Sequence, residues 1–168
     1  GYEFVNWMLG GAVVSTNATF VDDTEGDKTY IANFRKVLTR SSITVSSEET
    51  SGEGATNGRA NCIIDGSTST FWHTKYTGGN ANPPHWFMID LGSVQTFDAF
   101  NYVSRGAKLF GNGSINEYRL YVSNSPIAVN NLPEAVAEGA FEYQTTNTSS
   151  ETPEHHNIKL ANTVSGRY

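Results

Sequence analysis

The sequence predicts an all-β domain folded as an antiparallel sandwich, and three observations carry that prediction. The first is composition: 18 Thr, 16 Ser and 16 Asn stand beside 16 Gly, 9 Phe, 8 Tyr and 3 Trp, while only 17% of the 168 residues are charged. Aromatic and β-branched side chains suit half-buried strands, and Asn, Ser and Gly suit turns. The second is apolar alternation with period two in several short windows, the pattern of a strand with one buried face. The third is the set of turn pairs between those windows: Asn57-Gly58, Asp65-Gly66, Gly78-Gly79 and Asn112-Gly113.

Taken in chain order, Tyr30, Ile31, Phe34, Val37 and Leu38 have the spacing of one helical face. A strand with a bulge fits the same residues. Ile43 and Val45 point inward between polar neighbours. In His85 to Leu91 the inward face carries Phe87, Ile89 and Leu91. Phe100 and Tyr102 follow, then Tyr118, Leu120 and Val122 in the window Asn116 to Val122, and last Ile158 and Leu160. Short strands separated by long polar loops suggest an antiparallel sandwich. Trp72 and Trp86 are expected in its core, because large aromatics in strand context bury most of their area.

Length and charge exclude several function classes. One domain of this size buries roughly 70% of its unfolded surface, and a second full domain does not fit. The net charge of -6 sets long-range repulsion against nucleic acid and anionic membranes. No stretch approaches the ~20 apolar residues of a membrane span, and the start, Gly1, reads as a mature piece or an excised domain. The single cysteine, Cys62, has no partner for an internal disulfide and is expected as a buried apolar filler. The cluster Asp22, Asp23, Glu25 and Asp27 lacks the Gly at position six and the Glu at position twelve of a calcium-binding EF-hand loop, so it reads as a solvated turn. There is no Gly-x-Ser-x-Gly elbow, His-Glu-x-x-His pair or phosphate loop, and the acids lie mainly in turns rather than as a facing pair. An enzyme is therefore not expected.

The stretch from Ala60 to Gly92, ANCIIDGSTSTFWHTKYTGGNANPPHWFMIDLG, carries Asp65-Gly66, then Thr70-Phe71-Trp72, then a strand from Trp86 ending in Asp-Leu-Gly. Downstream come Arg105, the Asn112-Gly113 turn, the Tyr118 to Ser123 strand and Ser165-Gly166-Arg167-Tyr168. In order and spacing this set resembles the discoidin or coagulation factor 5/8 type C family, most closely its bacterial branch, carbohydrate-binding module family 32. The resemblance covers roughly residues 41 to 168 and implies a jelly-roll β-sandwich of the galactose-binding-like type. Residues 1-40 lie outside it, as an N-terminal extension or the end of a preceding domain.

What the resemblance implies about sites is specific. Relatives hold one structural calcium in the loop matching Asn61 through Phe71, which would use the carbonyls of Cys62, Ser67 and Thr70, the Asp65 carboxylate and the Thr70 hydroxyl. Oxygen ligands of this kind suit a hard cation. Asp65-Gly66 also serves as a plain turn, with Thr70 as its cap. In the family the last strand runs on past the match to Gly166-Arg167-Tyr168 and brings a further carboxylate, whereas this sequence stops at Tyr168.

Sugar-binding relatives place ligand contacts at the positions of His73, Tyr76, Arg105 and Asn112, with Phe110 on the same loop. Tyr76 offers a platform for the apolar face of a galactose-type ring, and Arg105 and His73 offer planar polar groups for its hydroxyls. Each has an ordinary alternative: Tyr76 and Phe110 as loop anchors, Arg105 as a brace, His73 closing a hydrogen bond beneath its loop. His85, His155 and His156 are not expected in the site, since adjacent histidines on a strand face opposite ways.

The resulting expectation is a non-catalytic module that targets a larger secreted or surface glycan-active protein to galactose- or N-acetylhexosamine-containing glycans. It would be monomeric, tethered to other domains, with a structural calcium, and extracellular, periplasmic or on the bacterial outer surface. The rival reading is adhesion to a protein or lipid surface through the loop tip at Leu109 and Phe110. Only Arg105 and Lys108 flank that tip, fewer cations than a membrane binder usually carries.

Overall fold

The computed structural model describes residues 2–36, 42–104, 115–141 and 153–168. Its regular elements there are strands, with one 3-10 turn at Ala60–Ile63. Among the described residues no helix is long and apolar enough to cross a membrane. The chain divides into two compact units, Gly1–Leu38 and Thr39–Tyr168.

The first unit is a three-stranded antiparallel sheet of β1 (Tyr2–Leu9), β2 (Ala12–Ser15) and β3 (Tyr30–Lys36), with β1 in the middle. Gly10 and Gly11 join β1 to β2, both at positive φ (58° and 86°), the conformation that a two-residue hairpin turn demands. Helical spacing in Tyr30 to Leu38 is overridden. The stretch as far as Lys36 is strand, with Phe34 opposite Phe4, Tyr30 opposite Leu9 and a register shift between Phe4 and Asn6. Pairing with β1 satisfies its backbone, whereas an isolated helix this short would be marginal. Phe4 packs edge-on against Phe34 at 5.8 Å and tilts against Trp7 at 5.6 Å. Val37 and Leu38 lie outside the described residues.

Downstream of β2, the acidic cluster is a turn, as its composition suggested. Asp22 accepts from the Thr24 N–H (2.9 Å), the Lys28 ammonium (2.6 Å) and the Tyr30 hydroxyl. The lysine foremost holds the Asp22 carboxyl well below the usual range, and Asp22 in turn pushes the Tyr30 phenol up to about 12.

The second unit is built from antiparallel pairs. β4 (Ile43–Val45) pairs with β5 (Phe87–Ile89), setting Ile43 opposite Ile89 and Val45 opposite Phe87. β6 (Gln95–Val103) pairs with β9 (His155–Gly166), with Phe100 opposite Ile158 and a shift between Phe97 and Ala99. β7 (Glu117–Leu120) pairs with β8 (Ala137–Ala140). Phe87 stacks on Phe100 at 6.4 Å and receives the edge of Trp72 at 6.0 Å, which places the β4–β5 and β6–β9 pairs face to face. Ile43, Ala60, Cys62, Ile158 and Leu160 are the buried apolar side chains among this unit's described residues. Four of these five side chains were expected inside from alternation or, for Cys62, from its apolar character.

The end of the chain closes this unit. Arg167 donates through Nε and a terminal nitrogen to both oxygens of Asp90, at 2.7 and 2.8 Å, and its carbonyl accepts from the Leu91 N–H at 2.8 Å. The guanidinium holds the Asp90 carboxyl down at about 2.

Candidate functional site

Two loops, one after β4 and one running from Trp72 to Ala81, meet around a single buried carboxylate. Glu49 is 1% exposed. Its Oε1 accepts from the N–H groups of Ser51 and Gly52 at 2.9 and 2.8 Å, and its Oε2 accepts from those of Tyr76 and Thr77 at 2.9 and 2.8 Å. Taking a carboxylate out of water is tolerable only with this kind of complete pairing. The Thr77 and Tyr76 bonds foremost hold the carboxyl well below the usual carboxylate range.

The backbone of Glu49 clamps the same loops. Its N–H donates to the carbonyls of His73 (2.9 Å) and Gly58 (3.2 Å), and the Gly58 N–H donates to Phe71 at 2.8 Å. Glu48, next door, accepts from the Ala60 N–H at 2.8 Å and so anchors the start of the 3-10 turn.

His73 and Tyr76 stand on this scaffold, ring to edge at 5.1 Å. The His73 Nδ1 lies 2.6 Å from the Thr74 carbonyl, which can only accept, so Nδ1 is the donor of that bond and Nε2 is left for other partners. The Tyr76 hydroxyl donates to Glu53 at 3.2 Å. Gly52 leaves room for that phenol, since a Cβ there would lie 2.4 Å from the hydroxyl oxygen. Glu53, His73, Lys75, Tyr76 and Asn80 line an open cleft of about 510 Å³, and Tyr76 is 38% exposed. A half-exposed aromatic beside a ring nitrogen, a carboxylate and an amide is a surface that an amphipathic polyol fits.

Of the five expected ligand contacts, the structure brings His73 and Tyr76 together. Arg105, Phe110 and Asn112 lie outside the described residues, as does Leu109. His155 and His156 alternate along β9: His155 is exposed, while His156 packs at 4.4 Å from Phe141 and 5.5 Å from Tyr102. Glu49, Glu53 and Gly52 were missed. The visible signal was Glu48-Glu49 directly behind a strand, but nothing along the chain pairs residue 49 with residues 76 and 77.

The expected metal loop has a defined side-chain arrangement. Asp65 Oδ1 accepts from the Ser67 N–H at 2.9 Å and Oδ2 from the Thr70 hydroxyl at 2.6 Å, with Gly66 at φ 75° between them. The Cys62 thiol donates to the Thr56 carbonyl, and burial pushes its pKa up, so it stays neutral and is no ligand for a hard cation. Among the described residues no three His, Cys, Asp or Glu groups are placed to hold a metal. The groups this loop offers, the Asp65 carboxylate and the Thr70 hydroxyl, are oxygens, the donor type that calcium takes.

The F5/8 type C domain profile matches residues 42–168. The chain belongs to the F5/8 type C domain family. Over 136 residues it is 35% identical to a lacto-N-biosidase of Bifidobacterium bifidum, covering 77% of this chain and 11% of that protein. Over 80 residues it is 39% identical to a sialidase of Micromonospora viridifaciens, 47% of this chain and 12% of that one. The chain thus spans about a tenth of the length of these curated relatives.

Two solved structures share its β-sandwich. One is the C-terminal domain of a chitobiase from Bacteroides fragilis (TM-score 0.54, 26% identity, covering 77% of this chain and 79% of that one). The other is CpGH89CBM32-5 from Clostridium perfringens, in complex with GalNAc-β-1,3-galactose (TM-score 0.55, 26% identity, 77% and 82%). The first of these neighbours is one domain of a chitobiase, and the second holds a bound disaccharide.

Proposed function

We propose that this domain anchors a larger secreted or surface-bound glycoside hydrolase to glycans that contain galactose or N-acetylhexosamine. The observation that carries the reading is the His73–Tyr76 pair, locked edge to face at 5.1 Å on the wall of an open polar cleft. The Tyr76 ring supports the C–H face of the sugar, His73 Nε2 accepts from a hydroxyl, and Arg105, Phe110 and Asn112 complete the contacts. The complex of CpGH89CBM32-5 with GalNAc-β-1,3-galactose supports this choice of sugar class. About twelve heavy atoms at about 0.3 kcal/mol each give roughly 4 kcal/mol, a millimolar site. Such a site is sufficient for a monomeric module tethered to its enzyme, because attachment raises the effective concentration of every domain on the chain.

A calcium ion held by the Asp65 carboxylate, the Thr70 hydroxyl and the carbonyls of Cys62, Ser67 and Thr70 belongs to this proposal. It supplies no chemistry to the sugar. It neutralises Asp65 and fixes the loop that leads into Trp72 and His73.

Calorimetric titration with galactose, N-acetylgalactosamine and N-acetylglucosamine tests the reading. The expected result is millimolar binding of at least one sugar, lost in His73→Ala and in Arg105→Ala. Absence of binding to all three, alongside binding to a protein or vesicle surface, would overturn it.

A further inference from the structure

We infer that the cleft takes a sugar bearing an anionic substituent, a sulfate or a carboxylate, with Lys75 as its counter-ion; this rests on the carbohydrate reading above. Six Lys or Arg side chains are described. Lys28 pairs with Asp22, Arg119 with Glu138, Lys159 with Asp98 and Arg167 with Asp90, and Arg59 donates to the carbonyls of Thr50, Gly54 and Asn57. Among the described residues Lys75 alone of these cations has neither an ion pair nor a side-chain hydrogen bond, and it stands in the wall of the cleft.

Its stem starts from a fixed point. The Lys75 N–H donates to Ser47 Oγ at 3.2 Å and its carbonyl accepts from the Ala81 N–H at 2.8 Å, so the loop holds the residue at both ends. The other charge on the lining, Glu53, accepts from the Tyr76 hydroxyl and faces the aromatic platform. The cleft is therefore divided: an acceptor beside the ring platform suits sugar hydroxyls, and an uncommitted ammonium nearby suits an anion. Its volume of about 510 Å³ exceeds what one unsubstituted sugar ring fills. The surrounding net charge of -6 repels extended polyanions, so the fit is to a single anionic group.

Three probes sharing one ring test this: galactose, galacturonic acid and galactose-6-sulfate, titrated at low salt against the whole chain. The expected result is that one or both acidic sugars bind about twofold to fivefold more tightly than galactose, the range that an exposed ion pair supplies. The arm that gains identifies the anion. Lys75→Gln brings the ratio to one, and Lys75→Arg keeps it above one. A ratio of one in the unmodified chain, or a ratio that survives in Lys75→Gln, overturns the inference while galactose binding leaves the carbohydrate reading standing. If none of the three sugars binds, the inference falls, and the carbohydrate reading is decided separately by the N-acetylgalactosamine and N-acetylglucosamine titrations.

Discussion

Gly58 passes so close to Glu49 that no side chain fits between them: a Cβ on Gly58 would stand 2.1 Å from the Glu49 carbonyl oxygen. The same residue holds φ at 81°, where any Cβ meets its own backbone. The Asn57-Gly58 pair is thus the seam at which the two loops of the site join, through the Glu49 and Phe71 bonds that Gly58 makes. Gly58→Ala is expected to destabilise the domain by about 3 kcal/mol or more, the sum of left-handed strain and overpacking against rigid backbone. Urea unfolding of the variant checks this. A loss under about 1 kcal/mol would show that the seam can open without penalty.

Glu49 itself makes the domain acid-sensitive. Its carboxyl is depressed in the folded chain by four N–H bonds, and those bonds vanish on unfolding. The unfolded chain therefore takes up the proton first as the pH falls, which favours unfolding. The stability that Glu49 contributes is fully present above its ordinary pKa of 4.5 and declines as the pH falls from there toward the folded value. Melting temperatures of the unmodified chain and of Glu49→Gln, measured from pH 7 to acid, check this. The variant is expected to melt lower at pH 7 and to show a shallower acid slope.

The limits of sequence reading follow from which contacts are local. The Ile43, Phe87, Phe100 and Ile158 strands were legible because alternation reports one buried face, whatever the partner. His73 and Tyr76 were legible through the family resemblance, which matches them three positions apart on one loop. The role of Glu49 was not, since its partners at Tyr76 and Thr77 are 27 and 28 residues away and it uses their backbone, which has no letter in the sequence. The strand at Tyr30–Lys36 was misleading for a related reason: helical spacing was present, but the pairing with β1 that settles the matter comes from residues 2 to 9.

Gly52 separates site geometry from stability. A Cβ there would lie 2.4 Å from the Tyr76 hydroxyl oxygen and 2.8 Å from Thr77 Oγ1, both at the ends of side chains that can swing away. Its backbone has no left-handed φ to strain. Gly52→Ala is therefore expected to cost at most about 1 kcal/mol of stability while moving the Tyr76 ring off its seat. Sugar affinity is expected to fall about fivefold or more, because a displaced platform loses contact over a whole ring face. A variant that binds as well as the unmodified chain would remove Tyr76 from the site.

Asp65 decides the metal question, because it is the one carboxylate among the proposed ligands. Its two oxygens already hold the Ser67 N–H and the Thr70 hydroxyl, so without an ion the loop keeps a carboxylate turn, and with one it gains a cross-link between Asp65, Thr70 and the carbonyls of Cys62 and Ser67. An ion bound only in the folded state stabilises it by about 2.7 kcal/mol at a hundred times its dissociation constant. Calcium is accordingly expected to raise the melting temperature, and a chelator to reverse the rise. Asp65→Ala should abolish the response to both, whereas Asp22→Ala, in the N-terminal turn, should leave it intact. An unchanged midpoint with calcium and with chelator would reduce this loop to a turn held by Asp65 and Thr70 alone.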